Sequence, residues 1–227
     1  MAHQQQLKFI EIVNKHFLNP YRKADTEFKI LEIGSFDVNG SPRTFLQDSN
    51  TQYIGVDLCE GKGVDIVSFG HTLDQPADSF DFVLSCECFE HDPHWLDTFK
   101  NMYRMAKPGS ILAFTCATTG RLEHGTVRTS AEHSPGTQFI GLDYYKNLTK
   151  EDFQNSIDLD SLFAEYFFFY EKTSRDLYFV GQKNGAPKIE LDRNLFFAEV
   201  SKINKVAKFR PKLIELPVYI ARILMAE

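Results

Sequence analysis

The sequence predicts an α/β fold: a mostly parallel central sheet with helices on both faces. Two observations carry this. Phe28-Lys-Ile-Leu-Glu-Ile-Gly-Ser-Phe-Asp-Val-Asn-Gly40 is an apolar run that breaks at one glycine, and at a second just before a helix signal. A strand apolar on both faces needs helices on both sides, the habit of parallel sheets. The second observation is recurrence, since residues 53–57, 64–67, 80–86 and 111–116 are further short apolar runs set between polar or helical stretches.

Taken in order, Leu7, Ile10, Val13 and Phe17 recur at helical spacing and Asn19-Pro20 stops the pattern, which gives an amphipathic leading helix. In the first strand's loop, Gly34 lets the backbone approach a ligand, and Ser41-Pro42 offers a cap followed by proline for a short helix over 41–50. Strand two, Tyr53-Ile-Gly-Val-Asp57, ends in a carboxylate 23 residues after Gly34. That spacing suits an acid accepting hydrogen bonds from ribose hydroxyls, against the plainer role of a turn residue. Gly61-Lys-Gly63 is too short for a crossover helix, so strand three over 64–67 follows a tight connection. A short helical or turn segment over 71–79 leads into strand four, 80–86.

Asp92-Pro93 repeats the cap-then-proline signal. Trp95, Leu96, Phe99, Met102 and Tyr103 then form the buried stripe of a helix that Lys107-Pro-Gly109 ends, ahead of strand five over 111–116. Residues 118–148 are rich in glycine, threonine, serine and histidine, and a segment this long inside a domain reads as a lid or substrate loop. Thr149-Lys-Glu-Asp152 has the form of a capping box. Two β-rich runs, 163–173 and 176–183, read as a closing hairpin. A helical tail over 187–227 follows, with Leu195, Phe196, Val200, Ile203 and Val206, then Ile214, Ile220, Ile223 and Leu224 beyond Pro211 and Pro217. It is expected to dock on this domain or to form a homodimer.

Composition fits a single domain over 1–227. The chain is 43% hydrophobic and 14% aromatic, enough for a sizeable core. Its net charge of −6 gives no general attraction for nucleic acid or an anionic membrane. With no signal-peptide pattern and no long apolar run, the expectation is a cytoplasmic protein acting on a small molecule. Cys59, Cys86, Cys88 and Cys116 lack zinc-site spacing and read as buried or cleft-lining thiols.

The motifs LEIGSFDVNG, YIGVD, FDFVLSCECFEHD and MAKPGSILAFTC together resemble those of class I S-adenosylmethionine-dependent methyltransferases, over about residues 28–183. GRLEHGT and DYYKNLT further resemble an uncharacterised bacterial subgroup. The resemblance implies a Rossmann-like, doubly wound, seven-stranded sheet whose last strand alone is antiparallel, followed here by C-terminal helices. It implies S-adenosylmethionine as cofactor, leaving S-adenosylhomocysteine as product. It places Glu32, Gly34, Ser35 and Phe36 at the cofactor's methionine end, Asp57 and Leu58 at the ribose, and Phe69 and Gly70 near the adenine. Cys86 and Glu87 fall under the sulfonium. The sequence departs from the family at Phe36, where a second glycine is usual, and at Phe69-Gly70, where many members carry an acid.

The implied reaction is methyl transfer to a small-molecule or sugar-containing acceptor, with oxygen as the expected atom. Candidates for proton removal are His91, which sits past strand four, Glu87 beside it, and His124, His133 and Tyr144 from the 118–148 segment. His91 reads equally as a hydrogen-bonded corner residue. His91-Asp-Pro-His94 could be read as a metal site, but Asp92 is better explained as a helix cap, and no metal ligands are assigned. Two other functions compete. One is a non-catalytic binder of S-adenosylmethionine; the other is a nicotinamide oxidoreductase, disfavoured because the first loop lacks G-x-G-x-x-G.

Overall fold

The computed structural model describes residues 4–20, 22 and 26–206. Its centre is a seven-stranded sheet of order β3-β2-β1-β4-β5-β7-β6. The strands are β1 (Phe28–Ile33), β2 (Thr51–Asp57), β3 (Ile66–Val67), β4 (Phe80–Cys86), β5 (Ala106–Ala117), β6 (Phe163–Glu171) and β7 (Asp176–Lys183). The helices are α1 (Gln4–Val13), α2 (Arg43–Leu46), α3 (Trp95–Met105), α4 (Pro135–Phe139), α5 (Lys150–Ser156), α6 (Leu159–Leu162) and α7 (Arg193–Val206). β1 to β5 run parallel, and β7 pairs antiparallel with both β5 and β6, so the last strand alone is reversed. The strand order reverses beside β1, and there ligands of open parallel sheets bind, beyond the strands' carboxyl ends.

β4 is buried at every position, as its unbroken apolar run requires, because both its faces are covered. On one face α3 buries Trp95, Phe99 and Met102, with Leu96 and Tyr103 partly buried. Phe114, Phe153 and Phe179 stack into the same cluster, the Phe114 and Phe153 rings 4.5 Å apart. On the other face α1, continued by a π-helical turn over Asn14–Leu18, packs with α7. Phe196, Val200 and Ile203 bury themselves there beside Phe9, Val13 and Phe17, while Leu195 faces outward. The inner row of α7 is thus covered by its own chain. The apolar positions from Ile214 to Leu224 lie outside the described residues.

Some boundaries differ from expectation. α2 has a single turn: Ser41 Oγ accepts from the Arg43 amide as a helix cap does, but the chain turns extended at Gln47 and the helix stops short of residue 50. β3 is only two residues long, because the turn at Gly61–Gly63 consumes the residues before it. Gly63 is held there at φ +86, its carbonyl so close to Gly55 that a Cβ on Gly55 would meet it at 2.1 Å. α3 starts at Trp95, two residues past Pro93. Asp92 caps it from outside, accepting from the His94 amide at 2.7 Å and from Thr98 Oγ1 at 2.5 Å. β5 opens at Ala106, since Lys107 and Pro108 already run extended toward the sheet. The capping box at Thr149 forms in both directions and opens α5.

Candidate functional site

At the carboxyl ends of β1, β2 and β4 the chain leaves a cleft whose empty space, with the open solvent at its mouth included, is about 920 Å³, and residues 133–137 and Leu142 form its outer wall. Glu32 lies near the end of β1. Tyr53, which pairs with Ile30 across the β1–β2 ladder, donates its hydroxyl to Glu32 Oε2 at 2.8 Å. Burial pushes the Glu32 carboxyl up to about 7 despite that bond. Arg43 lies over the Tyr53 ring at 4.7 Å and adds positive charge on that side. Gly34 follows at φ +82. A Cβ there would meet Cys88 Cβ at 2.6 Å, so glycine is what lets the β1 and β4 loops pass each other. Ser35 is buried beside it, and Phe36 turns its amide to β2.

Asp57 ends β2. It accepts from the Phe36 amide at 3.0 Å and from the Leu58 amide at 2.7 Å, one bond to each carboxylate oxygen, which fixes the side chain at the cleft edge. Burial still raises its pKa. Phe69 is 41% exposed and Gly70 is buried, both on the cleft wall. Cys86 is buried with its thiol pushed well up by burial, while Glu87 takes a left-handed backbone at φ +52, uncommon for a residue with a side chain. Gln6 reaches the same cleft from α1.

The segment 118–148 folds back over this mouth. It is bonded within itself, Gln138 donating to the Gly125 carbonyl and the Val127 amide to Asp143. The short helix α4 sits directly on Asp57. A Cβ on Gly136 would come within 2.4 Å of Asp57 Oδ1. Gly125, at φ +69, packs on the His91 ring, where a Cβ would meet Cε1 at 2.7 Å.

Of the expected acid–base residues, the structure brings His91 and His124 together, with ring centroids 5.1 Å apart, and sets His133 at 6.2 Å from His124. Glu87 lies on the cleft wall, 3.9 Å from Arg121. Tyr144 is not the tyrosine that joins them. Tyr145 is, at 5.4 Å from the His91 ring and 5.1 Å from that of His124. Burial and the neighbouring His124 hold His91 well below its ordinary value, and burial and Arg121 bring His124 to about 4. Sequence reasoning singles out neither Glu90, Arg121 nor Tyr145. The available signals are weak ones: Glu90 stands inside the FEHD corner, and the largely buried Arg121 inside GRLEHGT. His94 turns away to His71, with rings 4.2 Å apart.

A methyltransferase-domain family model matches residues 1–163. The chain belongs to that methyltransferase family. Solved structures agree on the fold. The 1,6-didemethyltoxoflavin-N1-methyltransferase of Burkholderia thailandensis has a TM-score of 0.52 at 14% identity, over 79% of this chain and 80% of that one. The phosphoethanolamine N-methyltransferase 2 of Haemonchus contortus gives 0.53 at 14%, over 78% and 52%. The CurJ carbon methyltransferase gives 0.51 at 15%, over 72% and 50%. The chain therefore spans about half the length of the last two. No curated protein matches the sequence.

Proposed function

We propose that the cleft binds S-adenosylmethionine and that this methyltransferase moves its methyl group to an oxygen of a small-molecule or sugar-containing acceptor. The observation that carries the reading is the pair of carboxylates near the ends of adjacent strands, Glu32 and Asp57, opening on one cleft beside Gly34. Glu32 suits the ammonium of the methionine end, and Asp57 the ribose hydroxyls. Each Asp57 oxygen keeps lone-pair capacity beyond its one amide bond. Phe69 offers a ring to the adenine. The residues fit the cofactor, with one condition: residues 135–137 must draw back from Asp57 to admit the ribose. The family match favours this reading over a nicotinamide oxidoreductase, as does the missing pyrophosphate loop.

Held by Glu32, Asp57 and Phe69, S-adenosylmethionine would supply an electrophilic methyl group on its sulfonium for the acceptor oxygen, with S-adenosylhomocysteine as the product. The chain's own work is to align the two reactants and to take the hydroxyl proton. Glu87 and His91, past β4, line that end of the cleft, and His133 faces it from the 118–148 lid. His91 by itself is a good acceptor of a hydrogen bond but a weak base, because it stays neutral well below its ordinary value.

Calorimetry tests the reading. S-adenosylhomocysteine should bind, nicotinamide dinucleotides should not, and Asp57→Ala should weaken binding by about 10- to 150-fold, from about 1.5–3 kcal/mol of lost hydrogen bonds. Unchanged affinity in Asp57→Ala would remove Asp57 from the site. Methyl transfer in a screen of hydroxyl-bearing acceptors separates an enzyme from a non-catalytic binder.

A further inference from the structure

We propose that Glu90, His91 and His124 form a binding site for a divalent transition-metal ion at the acceptor end of the cleft. One ligand atom from each of the three lies within 4.8 Å of the other two, and all three residues are more than nine-tenths buried. Buried polar groups are normally hydrogen-bonded. Among the described residues, both Glu90 oxygens and His124 Nε2 have no partner in hydrogen-bond geometry, although Glu90's own backbone lies close to its carboxyl. Neither ring nitrogen of His91 has one in hydrogen-bond geometry, although the Tyr144 backbone lies close.

The tautomer of His124 sharpens this. Its Nδ1 lies 3.1 Å from the Leu122 carbonyl, which can only accept, so Nδ1 carries the hydrogen and Nε2 presents a lone pair. That lone pair is 3.9 Å from Glu90 Oε1. With no cation there, burial pushes the Glu90 carboxyl up to about 8, so it holds a proton, and a metal ion would take that proton's place between the two. A backbone carbonyl orienting the far nitrogen is also how metal-bound histidines are commonly held. The surroundings are acidic on balance: Glu87 and Asp176 both act on Glu90, while Arg121 is bonded to Asp176 at 2.9 Å.

Two imidazoles and one carboxylate suit zinc and its first-row neighbours better than magnesium or calcium, which prefer oxygen. Bonds of about 2.0–2.2 Å require the three ligand atoms to draw in from their present spacing. Of the three ligands His91 alone lines the cleft, so the ion would meet the cleft from the His91 side. Because His124 comes from the 118–148 segment and the other two from the turn after β4, the ion would tie the His124 end of that segment to the sheet and leave residues 135–137, which face Asp57, able to move. Its effect on an acceptor hydroxyl, lowering the pKa, rests on the methyl-transfer reading; its binding does not.

The test uses full-length protein stripped with a chelator and titrated with Zn²⁺ by calorimetry, with Co²⁺ followed in parallel by visible absorption. One equivalent should bind with a Kd below about 1 µM and raise the melting temperature. His124→Ala, a lid change that leaves the sheet intact by circular dichroism, and Glu90→Gln should each weaken binding by at least about 100-fold. His94→Ala should bind as the wild type does. No binding of Zn²⁺, Co²⁺, Mn²⁺ or Fe²⁺, or full binding by both ligand variants, overturns the site. S-adenosylhomocysteine titrated into the same samples reports on the cofactor cleft separately, so failure of one reading is not failure of the other.

Discussion

The Glu32 carboxyl rises from an ordinary 4.5 to about 7 because burial outweighs the Tyr53 bond. The folded state thus favours the protonated form. That contribution is fully present below about pH 4.5 and is lost as pH rises through about 7, on the order of 3 kcal/mol in all. Glu32→Gln should therefore melt above the wild type at pH 8 and near it at pH 5, both without cofactor. It should also bind S-adenosylhomocysteine poorly, and wild-type affinity should rise about tenfold between pH 6 and 8 as Glu32 ionises. Thermal melts at the two pH values check this; an equal gap at both would show that Glu32 is not the group responsible. Asp57 is legible in sequence because its place follows from spacing along one strand–loop–strand unit. Glu90 and Tyr145 are not, since their significance comes from a contact between the turn after β4 and a segment far along the chain.

Among the described residues, periodicity locates the long strands and helices, because their apolar patterns are set by burial on the sheet faces. The cap-then-proline signal misplaces the start of α3, which begins two residues past Pro93, whereas at α2 Ser41 makes the cap bond and Pro42 has helical backbone, and only the length is overestimated. The segment 118–148 stands out by its length, but its seat cannot be read from sequence. α4 rests on Asp57, and Gly136 makes that contact possible. Gly136→Ala would drive a methyl group into Asp57 Oδ1, so the lid should stand further open. Because the ribose needs that space, cofactor affinity should stay within about twofold or improve, while protease cleavage in the lid of the free protein increases. A loss of affinity above about tenfold, with the fold intact, would mean that α4 belongs to the ribose site as it now sits.

The site depends on elements far from it in sequence. α1 closes the sheet face behind β1 and β4 and sends Gln6 into the cleft, and α7 covers α1 in turn. The Phe196 ring lies 5.3 Å from Phe17 and 5.7 Å from Phe169, and Glu199 joins Lys15 and His16 at 2.5 and 3.0 Å. The Lys15–Glu199 pair, open to solvent at its lysine, adds little. Burial of Phe196, Val200 and Ile203 contributes about 5–9 kcal/mol as an upper bound, comparable with the whole stability of an ordinary domain. Phe196→Ala in the full chain should therefore cost about 3–5 kcal/mol. Truncation after Lys183 should leave a marginal fold or one that self-associates through the uncovered face of α1. Because Gln6 rides on α1, loosening that helix should also weaken cofactor binding at temperatures below global melting. Chemical denaturation, mass in solution and calorimetry together check this, and a truncated protein of unchanged mass, melting point and affinity would show that the tail is dispensable to both fold and site.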